Sequence, residues 1–136
     1  MDVKININTI QYDEHSKIDI INVNTVGTLH EKNDATYLMY KEDNEGVEIT
    51  TSIKVSKKEI TIKRFGASNS TMVFEKGKVH TSNYKTPYGL FLIETHTKHL
   101  DVDNNSENNF KIELDYNLKM NDMFNGRNKI TINVEK

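Results

Sequence analysis

Cysteine is absent from this sequence, which excludes disulfide frameworks, thiolate metal sites and cysteine nucleophiles together. The absence also fits a reducing compartment. The N-terminal run MDVKININTIQYDEHSK lacks the apolar stretch of about 7–15 residues that a secretory signal needs. No segment approaches the roughly 18 consecutive apolar residues of a membrane-spanning helix. These absences lead to the expectation of a soluble, cytoplasmic chain with no membrane association. Excess charge is missing as well: the formal net charge is −2 and the lysines are spread along the whole chain. A nucleic-acid binder normally gathers its cations on one face, so nucleic acid is not an expected partner. Lysine outnumbers arginine sixteen to two, the bias of an AT-rich bacterial genome.

What is present is alternation. Apolar residues recur with a period of two, and nowhere with helical spacing over three turns. Strands are expected at 2–11, 17–31, 35–42, 47–56, 59–65, 70–76, 79–85, 89–100, 110–120 and 128–135. The clearest is 110–120, where Phe110, Ile112, Leu114, Tyr116, Leu118 and Met120 alternate with polar residues. In 17–31, Ile18 and Ile20 have one parity and Ile21 and Val23 the other, which predicts a β-bulge near Ile20–Asn22. Gly27 further along would let a barrel strand bend. Turns are expected at Asp13-Glu14-His15-Ser16, Asn33-Asp34, Asp43 to Gly46, Lys57-Lys58, Lys76 to Lys78 and Asn125-Gly126. The only proline stands in Thr86-Pro87-Tyr88-Gly89, which suits a type I turn.

Each strand has one wet face, which favours antiparallel pairing. At 136 residues there is room for one domain spanning 1–136. Short connections between so many strands predict an all-β, single antiparallel closed β-barrel of about 8–10 strands, because closure removes exposed edges. A two-sheet β-sandwich is the alternative. The interior of such a barrel is either filled by side chains or holds one small ligand.

One series of residues carries a resemblance. It runs Thr50-Thr51-x-Ile53-Lys54, Ile62-x-Arg64-x-Gly66, Met72-x-Phe74-x-x-Gly77, Tyr84-x-Thr86-Pro87-Tyr88-Gly89 and Tyr116-x-Leu118. In order and spacing it resembles the YwiB-like family of uncharacterised bacterial proteins, a domain of unknown function grouped with the calycins and lipocalins. The resemblance covers nearly the whole chain. It implies a compact lipocalin-like β-barrel and brings no reaction or ligand; binding of small hydrophobic molecules follows only by analogy of fold.

Arg64 is the most informative residue. It continues the parity of Ile60 and Ile62, and an arginine on an apolar face must find an anion. It could clamp a ligand carboxylate or phosphate. It could pair with an internal carboxylate, for which Glu94, sharing the parity of Leu90 and Leu92, is the natural choice. It could also emerge at the barrel mouth near Gly66. An internal pair or the rim is the default, because such pairs are commoner than clamps. Phe74, Tyr84, Tyr88 and Tyr116, with Phe91, either line a cavity mouth or plug the barrel as core, the second being the commoner use of aromatic stripes. The candidate ligand-binding set is therefore Arg64, Glu94, Phe74, Tyr84, Tyr88 and Tyr116.

Other constellations carry less. His96 and His99, three apart on a strand, face opposite sides unless a bulge intervenes, so no metal is expected there. Asp101 to Glu107 imitates the start of a calcium loop but has Ser106 where glycine is needed and Ile112 where glutamate is needed. Asn69-Ser70-Thr71 and Asn104-Asn105-Ser106 match glycosylation sequons, without meaning in a cytoplasmic chain. Ser68 and Ser70 lack the strand–elbow–helix context of a hydrolase nucleophile. Glu113 and Asp115 lie on the wet face of their strand, not as a tuned acid–base pair. No enzyme, cofactor or metal is expected. The leading expectation is a non-catalytic barrel that binds a small, partly apolar, in one version anionic, molecule. The alternative is a protein-interaction or structural module acting through its outer surface, with outward Phe65, Val73 and Phe91, or through an edge strand, as a homodimer.

Overall fold

The structure, a computed structural model, describes residues 1–136 except 14–17, 45, 67–68, 105, 107 and 121–123, and the side chains of 18, 44, 86 and 124. Every regular element in it is a strand: β1 (Asp2–Tyr12), β2 (Ile18–Lys32), β3 (Ala35–Asn44), β4 (Val47–Val55), β5 (Glu59–Gly66), β6 (Asn69–Glu75), β7 (Val79–Thr86), β8 (Gly89–Asp103), β9 (Asn109–Met120) and β10 (Phe124–Glu135). Each strand pairs with its neighbours in sequence, and β1 pairs with β10, so the sheet closes into a ten-stranded antiparallel barrel. Closure settles the choice against the sandwich. No helix among the described residues is long and apolar enough to cross a membrane.

Strand formation follows from alternation of Val, Ile and Thr with polar residues, each strand laying its apolar side on a shared interior. The β2–β3 connection turns on Asn33 and Asp34, both with positive φ (52° and 63°), as a tight hairpin loop demands. In β9, Phe110, Ile112, Leu114 and Tyr116 are buried. Across the ladder they meet Val134, Ile132, Ile130 and Asn128 in turn on β10. Ile60 and Phe74, both with no exposed surface, pair across β5 and β6.

In an up-and-down barrel, alternate turns collect at opposite ends. The turns β2–β3, β4–β5, β6–β7 and β8–β9 lie at one end with both termini. There Val3, Leu29, Leu38, Val55, Ile60, Phe74, Phe110, Ile112 and Val134 form a continuous buried core. Toward the other end the inward residues Val23, Ile62, Met72, Leu118 and Ile130 pack on that core but are only partly buried. The interior thus has a packed half and a half, called accessible below, in which partly buried residues and Arg64 stand among the buried Tyr40, Thr51, Ser70 and Ile93.

Three details of the strands differ from expectation. The β1–β2 register runs unbroken from Asp2–Thr28 to Tyr12–Ile18, so there is no bulge at Ile20–Asn22. Ile20 simply faces outward, 69 % exposed. The irregularity is instead in β8, between Thr97 and His99. Asn125 and Gly126 pair with Lys119 and Leu118 inside a longer β10, so they do not form the turn, and residues 121–123 lie outside those described. The predicted turn through Glu14, His15 and Ser16 lies outside them too. One seam is weak: β6 and β7 share only the pairs Asn69–Lys85 and Ser70–Tyr84. Beyond these, the Thr95 hydroxyl of β8 donates to the Val73 carbonyl at 2.9 Å and reaches the His80 carbonyl at 3.4 Å. His80 Nε2 meets Glu75 Oε1 at 3.1 Å, further closing the gap. That contact holds the Glu75 carboxyl below the ordinary carboxylate range.

Candidate functional site at the accessible half of the barrel

Cross-strand register builds a polar row on the inner wall. Tyr40 of β3 stands opposite Thr51 of β4, Thr51 opposite Arg64 of β5, Arg64 opposite Ser70 of β6, and Ser70 opposite Tyr84 of β7. Directly opposed side chains on one face have Cβ atoms about 5 Å apart. Four hydroxyls therefore flank one guanidinium on adjacent strands. Four of the positions share parity with inward apolar residues of their own strands, Leu38, Ile53, Ile62 and Phe74, and the fifth, Tyr84 of β7, stands opposite Phe91 of β8, their rings meeting edge-on at 6.5 Å.

Arg64 pairs with Glu42, the next inward residue of β3 after Tyr40; Arg64 Nη2 to Glu42 Oε2 is 3.6 Å. Glu42 is largely enclosed, its side chain 19 % exposed, whereas that of Arg64 keeps 45 %. The guanidinium also acts on two phenols. Burial, then Glu42, pushes the Tyr40 hydroxyl up, while Thr51 and Arg64 pull it back. Burial raises the Tyr116 hydroxyl as well, opposed by Asn128 and by Arg64. Asn128 Nδ2 of β10 donates to Tyr116 Oη at 3.2 Å. Tyr116 rests on Phe74, ring centroids 4.6 Å apart and planes tilted by 58°. Phe74 thus belongs to the packed floor, and the polar groups lie above it.

The candidates named from the sequence separate accordingly. Arg64, Tyr84 and Tyr116 face the interior, with Phe74 beneath them. Tyr88 does not join them: it is 93 % exposed on the β7–β8 turn. Glu94 is not the partner of Arg64. Its neighbours Ile93 and Thr95 are buried, so Glu94 faces outward. It borders an external groove of about 400 Å³ with His96, Lys119, Arg127 and Tyr12. The β8 parity was inverted because Leu90 and Leu92, 64 % and 51 % exposed, are outward apolar residues while Thr95 and Thr97 are buried. Phe91 accordingly turns inward, opposite Tyr84, and only Phe65 and Val73 of the proposed outer trio remain outward.

Reading from the sequence missed Glu42, Tyr40, Thr51 and Asn128 as site members. The signal for Glu42 was present: it continues the parity of Leu38 and Tyr40, as Arg64 continues that of Ile60 and Ile62.

On the outer wall the β8 bulge brings His96 and His99 onto the same face, against the expectation from strict alternation. They stand opposite Asn117 and Asp115. No group of three or more metal-ligating side chains forms among the described residues. Asp115 accepts two hydrogen bonds from Arg127, at 2.9 and 2.7 Å. Arg127 in turn lies over the Tyr12 ring, 5.6 Å from its centroid. The calcium-like loop rests partly on Asn105 and Glu107, and the serine reading partly on Ser68, all outside the described residues.

Comparison with known proteins agrees with this architecture. The chain is 27 % identical over 117 residues to the "Uncharacterized beta-barrel protein YwiB" of Bacillus subtilis (strain 168), covering 86 % of this chain and 82 % of that protein. The crystal structure of the ywiB protein from Bacillus subtilis superposes with a TM-score of 0.88 at 24 % identity, covering 98 % of this chain and 90 % of that one. Residues 5–132 match the family described as a domain of unknown function, DUF1934. The chain belongs to that β-barrel family.

Proposed function

We propose that this barrel is a non-catalytic binding protein that takes a small, partly apolar molecule into the accessible half of its interior. One observation carries the reading: at one end of the barrel the inward Arg64, Met72, Leu118 and Ile130 are not fully buried, Met72 standing next to the row around Arg64 and Leu118 and Ile130 on β9 and β10. Apolar walls with a few converging polar groups are the usual composition of a small-molecule site. Nothing in the row is arranged as a nucleophile with its base, so binding and not turnover is the function proposed. A thermal-shift screen of the full chain against fatty acids and nucleotides tests it, since a ligand of the folded state must raise Tm. A rise of several degrees with an apolar acid is expected. A flat response across the panel would refute the proposal.

A second reading, docking of another protein or a second copy, is favoured by the exposed Leu90 and Leu92 on the outside of β8. Light scattering decides it: a dimer that L90K/L92K dissociates would support this reading, and a monomer would count against self-association.

A further inference from the structure

The chain's two arginines provide a comparison within one molecule. Arg127 holds Asp115 through two hydrogen bonds, at 2.9 and 2.7 Å. Arg64 meets Glu42 through one contact at 3.6 Å, beyond hydrogen-bond range. A guanidinium has five N–H donors, and a carboxylate in good geometry takes two of them side by side. The Arg64 pair is therefore a charge contact without the fork, on an inward guanidinium whose side chain stays 45 % exposed.

Its neighbour supplies the second observation. Thr51 is 1 % exposed, opposite Arg64 on the same face. Its Oγ1 is enclosed without a well-formed hydrogen bond among the described residues, although the Tyr40 hydroxyl lies beside it. A buried hydroxyl in that condition is destabilising, and an acceptor brought to it would relieve that.

We propose that the molecule bound in the accessible half carries a carboxylate, which replaces Glu42 as the partner of Arg64 and accepts the Thr51 hydroxyl. This rests on the interior-binding reading above. A carboxylate offers two coplanar oxygens, one set for the guanidinium fork and one lone pair for the hydroxyl. Glu42 demonstrates that a carboxylate is tolerated at this place, and its movement toward the rim leaves one cation facing one anion. A phosphate monoester carries close to two negative charges near neutral pH. The row presents one cation only, because Lys54, Lys63 and Lys85 stand at the opposite parity, on the outer face. Alcohols and other neutral heads gain nothing from displacing Glu42.

Isothermal titration of the full chain with octanoate, 1-octanol and octyl phosphate separates these cases. Octanoate is expected to bind at least about tenfold tighter than either other probe, the worth of one charged hydrogen-bonded contact. Arg64→Gln should remove that advantage and leave octanol binding unchanged. Arg64→Lys keeps the charge without the fork and should lose most of the advantage, which guards against misfolding of the glutamine variant. Glu42→Gln should tighten octanoate severalfold by removing the competing carboxylate. Equal binding of octanol, preference for octyl phosphate, or wild-type octanoate affinity in the Arg64 variants overturns the carboxylate inference while interior binding stands. Binding of none of the three overturns both.

Discussion

Truncating Phe74 to alanine tests the division of the barrel into two halves. The ring has no exposed surface, pairs across the β5–β6 ladder with the equally buried Ile60, and packs on Tyr116 at 4.6 Å. On its other side the β6–β7 ladder has already ended at Ser70–Tyr84, so no inward β7 neighbour is fixed to collapse into the space. Phe→Ala at closed sites costs about 3–5 kcal/mol, and little relaxation places this one in the upper part of that range. For a chain of this length that is a fall in Tm of roughly 10–20 °C. Phe91→Ala is the comparison. Phe91 is half-buried at the rim and touches Tyr84 only edge-on at 6.5 Å, so about 1 kcal/mol is expected. Urea unfolding followed by tyrosine emission suits a chain without tryptophan. Equal losses for the two variants would refute the distinction between a packed floor and an accessible mouth.

Other perturbations follow from individual contacts. Gly27→Ala should destabilise by about 1–3 kcal/mol through overpacking, because the added methyl overlaps the Met39 carbonyl oxygen and sits 2.8 Å from Ile5 Cδ1 and 3.1 Å from Tyr40 Cβ; thermal denaturation reads the loss. The hydrogen bonds from Arg127 hold the Asp115 carboxyl below its ordinary range. A depressed folded value means stability is present above the unfolded pKa, about 4, and lost as pH falls through the lower folded value. Asp115→Asn should therefore flatten the acid limb of the stability–pH curve below about pH 4, with a loss near neutral pH of about 1 kcal/mol. Glu94→Gln, on the outer wall, should leave the ligand-induced rise in Tm unchanged; a reduced rise would move the site to the external groove.

How much could be seen in the sequence depended on whether local alternation was faithful. β9 keeps strict alternation from Phe110 to Met120, and its inward face follows directly. β8 does not: exposed Leu90 and Leu92 and buried Thr95 and Thr97 reverse the apolar pattern, and the bulge at Thr97–His99 changes parity within the strand. Glu94 and Phe91 were therefore placed on the wrong faces. In β2 the outward Ile20 imitated a parity switch that the unbroken register does not contain. The inward position of Arg64 was legible from Ile60 and Ile62. Its partner was not, because Glu42 reaches it from β3, two strands away, and such a meeting depends on register and strand tilt that a one-dimensional pattern does not encode.

The most direct test is a methyl NMR titration of the Ile-, Leu- and Met-labelled chain with octanoate. Shifts at Met72, Leu118 and Ile130, with Ile60 and Ile112 unmoved, are the expected result. Perturbation confined to Leu90 and Leu92, or to no methyl at all, would contradict binding inside the barrel.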